Sequence, residues 1–311
     1  MDAFFTLLNK TSILALLIIL GFCAKKLNWV EESFSKNVTD FTLKISLPIL
    51  AIQSLQMEYT NDTIFQGLYI FLISSGIYLL GYAIGLIGIK IFKIPGEKKG
   101  AWLFGLMMSN VVFMGMPVML AIYGQEIMFY FTFVCIASNI FTYIFGAWII
   151  ASNANADQES LNIKELIFTP LNFGMVIGLI LFIFKIKLPS TIMETSQYIT
   201  STVVPLAMFY VGVNLAKNSI KEMVGDWQVY AFALTRLIII PLFAYFIVRN
   251  FVSDPMILAT IVIPSSAMSS PSVTAILVNK YGGDVKFAAR ITFISTVLCG
   301  LTMPIIGSLM L

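Results

Sequence analysis

From Ile64 to Ile89 the chain reads IFQGLYIFLISSGIYLLGYAIGLIGI without one charged residue, and this run does most to narrow the fold. About 20 mainly apolar residues let a helix cross the hydrocarbon of a bilayer. By the same criterion ten spans are expected, at 5–24, 34–55, 64–92, 100–123, 127–151, 164–185, 191–216, 227–249, 255–280 and 286–310. Composition agrees, with 59% of the 311 residues hydrophobic and only 11% charged. A soluble chain carries roughly a quarter charged residues, and here there is too little polar sequence to cover a water-facing surface. The expectation is an all-α polytopic membrane protein of ten transmembrane helices, with no soluble domain and the lipid bilayer as its first partner.

The net charge of +3 is small and the lysines are scattered between apolar runs, so no nucleic-acid partner is expected. There is no histidine, which removes the commonest general base and metal ligand. Cys23, Cys135 and Cys299 are odd in number and isolated, so neither a metal, a cofactor nor a disulfide framework is expected. Met1 to Asn9 has no basic segment, and Thr11 to Ala24 ends in Lys25-Lys26, as a first transmembrane helix does rather than a cleaved signal. Lys and Arg are kept out of translocated loops. With the N-terminus outside, thirteen basic residues fall in the cytoplasm and four (Lys10, Lys185, Lys187 and Arg249) fall outside. Both termini should then face outwards from the inner (plasma) membrane.

The two halves repeat. TFVCIASNIFTYIFG starts at 132 and TFISTVLCGLTMPIIG at 292, placing Thr132, Phe133 and Thr142 a constant 160 positions before Thr292, Phe293 and Thr302. Each follows a span ending in Tyr-Gly, and the second span of each half carries a proline, Pro48 or Pro205. The division is 1–151 for a first five-helix repeat, 152–163 for a connecting loop and 164–311 for a second. An odd number of spans per repeat inverts the second copy, the arrangement of secondary transporters whose interrupted helices mark the binding site.

Two interruptions are plain. SNVVFMGMP at 109–117 places Ser109, Asn110, Gly115 and Pro117 inside an apolar span. IPSSAMSSPS at 263–272 brackets Ser265, Ser266, Ser269 and Ser270 between Pro264 and Pro271. Proline lacks an N–H and clashes with the carbonyl four residues back, near Phe113 for Pro117, and glycine lets the chain leave the helix without steric cost. Non-helical backbone at membrane depth survives only when buried in protein or lining a polar cavity. A proline kink would account for one such site; two in corresponding spans point to a substrate site, and exposed half-helix N-termini favour an anion.

Intramembrane charge is rare and functional by default. Lys44 follows Lys36 and Asp40 at helical spacing, which admits an ion pair with Asp40 or a snorkelling side chain. Arg236 admits two readings: a structural pairing with backbone carbonyls, or a fixed counter-charge for an anion, which its planar fork suits. No Asp or Glu lies deep in a span; Asp40, Glu126 and Asp284 stand at or near span ends.

SNVVFMGMPVMLAIYG, and PSSAMSSPSVTAILVNKYGGD followed by TFISTVLCGLTMPI, in ten spans split five and five, resemble the auxin efflux carrier family over the whole chain. Its members include plant auxin exporters and bacterial permeases for malate and other organic acids. The resemblance implies a bile-acid-symporter-like, NhaA-like fold. Spans 1, 2, 6 and 7 would form a scaffold, and spans 3–5 with 8–10 a mobile domain whose broken helices 4 and 9 cross at their prolines. It carries Asn110, Gly115 and Pro117 onto the first crossover, with Asn110 as substrate contact, and Pro271 with its preceding serines onto the second. There the family often has proline where Ser269 and Ser270 stand. The long cytoplasmic loop of the plant members is absent.

The reading is therefore a secondary carrier of a small organic anion, a carboxylate such as malate or an auxin-like acid, working by alternating access and not an enzyme. A homodimer through the scaffold helices is part of what the resemblance implies. The alternative is a cation/proton antiporter of related fold, disfavoured because that chemistry relies on buried carboxylates.

Overall fold

The computed structural model describes residues 2–56, 61–154, 168–217 and 220–309, and every regular element among them is helical. Helix α1 (Asp2–Lys26) is followed by α2 (Glu32–Phe41), which passes through a π-helical turn (Thr42–Ser46) into α3 (Leu47–Ser54). Next come α4 (Asn61–Ile91), α5 (Gly96–Met107), a π turn (Val111–Gly115) and α6 (Met116–Tyr123). Helix α7 (Met128–Ile140) continues through a π turn (Phe141–Gly146) into α8 (Ala147–Ser152). The second half holds α9 (Pro170–Ile183), α10 (Ser190–Thr200), α11 (Val203–Lys217) and the short α12 (Ile220–Met223). Then follow α13 (Trp227–Leu234), a π turn (Thr235–Ile239), α14 (Ile240–Val248), α15 (Pro255–Val262), a π turn (Ile263–Ala267), α16 (Thr274–Tyr281) and α17 (Val285–Ser308).

Among the described residues six helical stretches are long and apolar enough to cross a membrane: 62–91, 96–123, 128–152, 190–217, 227–248 and 285–308. Shorter apolar helices cover 170–183 and 255–267, and α1 and α2–α3 are helical where two more spans are expected. The expected connecting loop lies outside the described residues from 155 onward, as do 164–167 of the sixth span.

Local chemistry explains the helix starts. Thr169, Asp226, Asp254 and Asp284 accept backbone N–H groups in the first turns of α9, α13, α15 and α17, and such caps satisfy donors the helix itself leaves orphaned. Three of the five π turns among the described residues have a local cause as well. Pro48, Pro117 and Pro241 each stand two residues after one. Proline withholds a donor and crowds the preceding carbonyl; one extra residue in the turn relieves both within an otherwise continuous helix. Pro117 and Gly115 are thus treated as Pro48 and Pro241 are, in helices that do not break.

Helix α1 lies against α11, where Gly21 meets the Phe209 carbonyl and Gly212 the Ile18 carbonyl, leaving no room for a side chain. Helix α9 packs on α3 through Gly174 over Pro48. Helix α4 covers α5 and α7, and α17 covers α13 and α16. Trp102, Phe104, Phe232 and Phe287 are fully buried where α5, α13 and α17 meet.

Candidate functional site where two broken helices meet

Helix α5 stops because Met108 turns extended (φ −98°, ψ 150°), and Asn110 (φ −76°, ψ 61°) redirects the chain into the following π turn. The second interruption lies beyond its own π turn: Met268 is extended (φ −87°, ψ 162°), and helix resumes only at Thr274. The two meet. The Asn110 N–H, which in a continuous helix would bond Leu106 O, donates instead to Ser269 O at 3.0 Å. The Asn110 side-chain amide donates to Ser272 Oγ at 3.2 Å, and the Ser269 hydroxyl donates to Met114 Sδ at 3.3 Å.

Arg236 is wholly buried beneath this meeting point. Its Nε donates to Met268 O at 3.0 Å, Nη1 to Leu106 O at 2.9 Å and Nη2 to Ser265 O at 3.4 Å. Of its two sequence readings, pairing with backbone carbonyls is the arrangement found.

Two cavities flank the contact and share Asn110 and Ser272. One, of about 230 Å³, is also lined by Ser109, Pro271, Asn139, Thr142 and Lys44. The other, of about 310 Å³, adds Tyr210, Asn214, Lys217 and Thr292. The Lys44 ammonium pairs with Asp40 at 3.1 Å, as their spacing allows, and stays largely exposed. Of the residues singled out from sequence, Ser109, Asn110 and Pro271 line a cavity. Gly115, Pro117, Pro264, Ser265, Ser266, Ser269, Ser270 and Arg236 are packed inside and line neither cavity.

Ser109 is 3% exposed and its hydroxyl has no hydrogen-bond partner, so it is a buried polar group left over beside a cavity. Sequence reasoning passed over Ser272, Asn139 and Thr142. The last two are three residues apart, hence on one helix face, within the TFVCIASNIFTYIFG stretch read only as a repeat marker.

A family model described as "Membrane transport protein" matches residues 7–307. An uncharacterised transporter of Methanocaldococcus jannaschii is 26% identical over 305 residues, covering 96% of this chain and 97% of the relative. An uncharacterised transporter of Methanothermobacter thermautotrophicus is 24% identical over 296 residues, covering 93% of each.

Proposed function

The chain belongs to the membrane transport protein family, that of the auxin efflux carriers, and from this premise we propose that it is a secondary carrier of a small organic anion. It is a multi-pass membrane protein with several apolar helices. The proposal's finer content is ten crossings in two inverted five-helix repeats and substrate held where the breaks cross. The observation that carries it is the pair of cavities sharing Asn110 and Ser272. Their volumes suit a small acid, and the amide and hydroxyls at their junction can donate to a carboxylate.

The division of labour supports alternating access. Lys44, Tyr210 and Asn214 come from the helices assigned to a scaffold, while Asn110, Asn139 and Ser272 come from those assigned to a moving domain. Each cavity therefore lies between the two bodies. Both sit toward the end where α9 begins and α11 finishes, the cytoplasmic end in the orientation with both termini outside. At the opposite end Gln53 donates to Gln125 at 3.2 Å and to Gln197 at 3.4 Å, and accepts from Thr200 at 3.0 Å. This bridges the two bodies and fits an inward-open state. A dimer through the scaffold helices belongs to the same proposal.

The test is uptake of radiolabelled carboxylates, mono- and dianionic, by proteoliposomes. A carrier gives saturable uptake accelerated by unlabelled acid trapped inside. Uptake of sodium ions against a proton gradient, with no carboxylate flux, would sink the proposal in favour of cation/proton antiport.

A further inference from the structure

The three carbonyls around Arg236 are among those the breaks release from helical bonding. Leu106 O lies in the last turn of α5, and its helical donor, the Asn110 N–H, has gone to Ser269 O. Ser265 O and Met268 O lie where the stretch from α15 through its π turn unwinds, and the Ser270 N–H has gone to Ser295 Oγ at 3.1 Å. Both breaks thus present the C-terminal end of a helix to one point. Such an end carries about half a negative charge, so two together come to roughly one elementary charge, opposite to the one positive charge of a guanidinium. Among the described residues no carboxylate pairs with Arg236; the salt bridges there are Lys44–Asp40 and Lys98–Asp226. In carriers with discontinuous helices, unwound carbonyls and half-helix C-termini of this kind coordinate a coupling cation.

We propose that the Arg236 guanidinium fills a cation site built from the carbonyl ends of both broken helices, serving as a covalently tethered cation. Cutting the side chain back exposes a seat for a small cation from solution. Given the carrier reading, on which this consequence alone rests, the wild-type crossing has no vacancy for a co-transported cation. Arg236 is then a positioning residue: it holds α5 and the α15 segment to each other and sets the distance between Asn110 and Ser272 without touching substrate.

The experiment is thermal unfolding of the purified full chain in lipid nanodiscs, with chloride salts of sodium, methylguanidinium and bulky choline compared at equal ionic strength. The wild type should melt alike in all three. Arg236→Ala should melt lower, and methylguanidinium should restore most of the loss, rising with concentration and saturating as binding to the folded state requires. Arg236→Met, whose side chain occupies the space without charge, should melt lower and not recover. Arg236→Lys, which keeps a tethered cation and so folds if charge is what matters, should be insensitive to the added salts. A saturable sodium response in the wild type would overturn the proposal. So would an Arg236→Ala protein that melts like the wild type or recovers equally in choline, or an Arg236→Lys protein rescued by methylguanidinium. None of these readouts uses a transported anion. Lost carboxylate uptake with this cation pattern intact would fail the carrier reading alone, and a sodium response alongside normal uptake would fail this inference alone.

Discussion

The two breaks differ in where their polar groups go. In the longer one, from the π turn at Ile263 to Val273, most hydroxyls have a local partner. The Ser266 hydroxyl donates to Val262 O at 2.6 Å, Ser270 Oγ and Thr274 Oγ1 share a bond at 3.0 Å, and the Cys299 thiol reaches Ala267 O at 3.4 Å. Ser265, Ser266, Ser269 and Ser270 are all 0% exposed. Each stretch leaves one buried hydroxyl without a partner, Ser265 in the longer and Ser109 in the shorter, Met108 to Asn110, but only Ser109 lies beside a cavity, and Asn110 joins the other break from the floor of both cavities. The richer stretch of hydroxyls is thus the structural one. What marks a ligand surface is not how many polar groups a broken helix contains but which of them face a cavity once the helices are packed.

That contrast can be attacked at four points. The largest effect is expected at Asn110. Asn110→Ala removes a hydrogen bond to a charged ligand, worth about 1.5–3 kcal/mol, and should weaken carboxylate binding by roughly 10- to 150-fold. Asn110→Asp should be worse, because it replaces a donor with a charge beside the anion. Equal affinity of wild type and Asn110→Asp by isothermal titration would remove the crossing as the carboxylate site.

Next is the anchored break. Ser295→Val leaves the Ser270 N–H buried without an acceptor, at about 1–3 kcal/mol. The melting temperature should fall while the affinity of the protein that remains folded is unchanged; the reverse outcome would exchange the roles of the two breaks.

Ser109→Ala should do the opposite of Ser295→Val. Removing an unpartnered buried hydroxyl leaves stability equal or higher, while loss of one hydrogen bond to an uncharged oxygen of the substrate, about 0.5–1.5 kcal/mol, weakens binding roughly 2- to 12-fold. A lowered melting temperature would show that the hydroxyl serves the fold instead.

The smallest effect concerns the far end of α5, where Lys98 pairs with Asp226 at 2.6 Å and bonds Gln228 Oε1 at 3.0 Å. Burial pushes the Asp226 carboxyl up, but the Lys98 ammonium and the Gln228 N–H outweigh it and hold the carboxyl below its ordinary value. Its stabilisation is therefore complete above about pH 3.9 and is lost as pH falls through the depressed folded value. Asp226→Asn should melt lower at neutral pH and lose less on acidification than the wild type. Parallel melting curves from pH 7 to pH 3 would show that only the carbonyl end of α5, at Arg236, is electrostatically held.

Much of the fold was legible because its cause is local. Apolar runs too long for anything but a bilayer and the Lys44–Asp40 pair four residues apart both follow from spacing along one helix. The Pro117 signal was also local, and for that reason over-read: the same widened turn precedes Pro48 and Pro241, where the helix stays whole. The break itself comes earlier, at Met108, and nothing in the sequence separates a proline that widens a turn from one beside a true break.

Sequence alone thus determined that this chain is a helical membrane protein of the transporter kind and that two of its helices are interrupted, since lipid forbids unsatisfied backbone and proline and glycine announce where it is loosened. Which side chains satisfy that backbone was decided only by the tertiary structure. Asn110 finds Ser272 162 positions away, and Arg236 finds Leu106 130 positions away. A hydrogen bond depends on separation in space and not along the chain. The division of Ser109, Asn110 and Ser272 from the four buried serines therefore appears only when the helices are brought together.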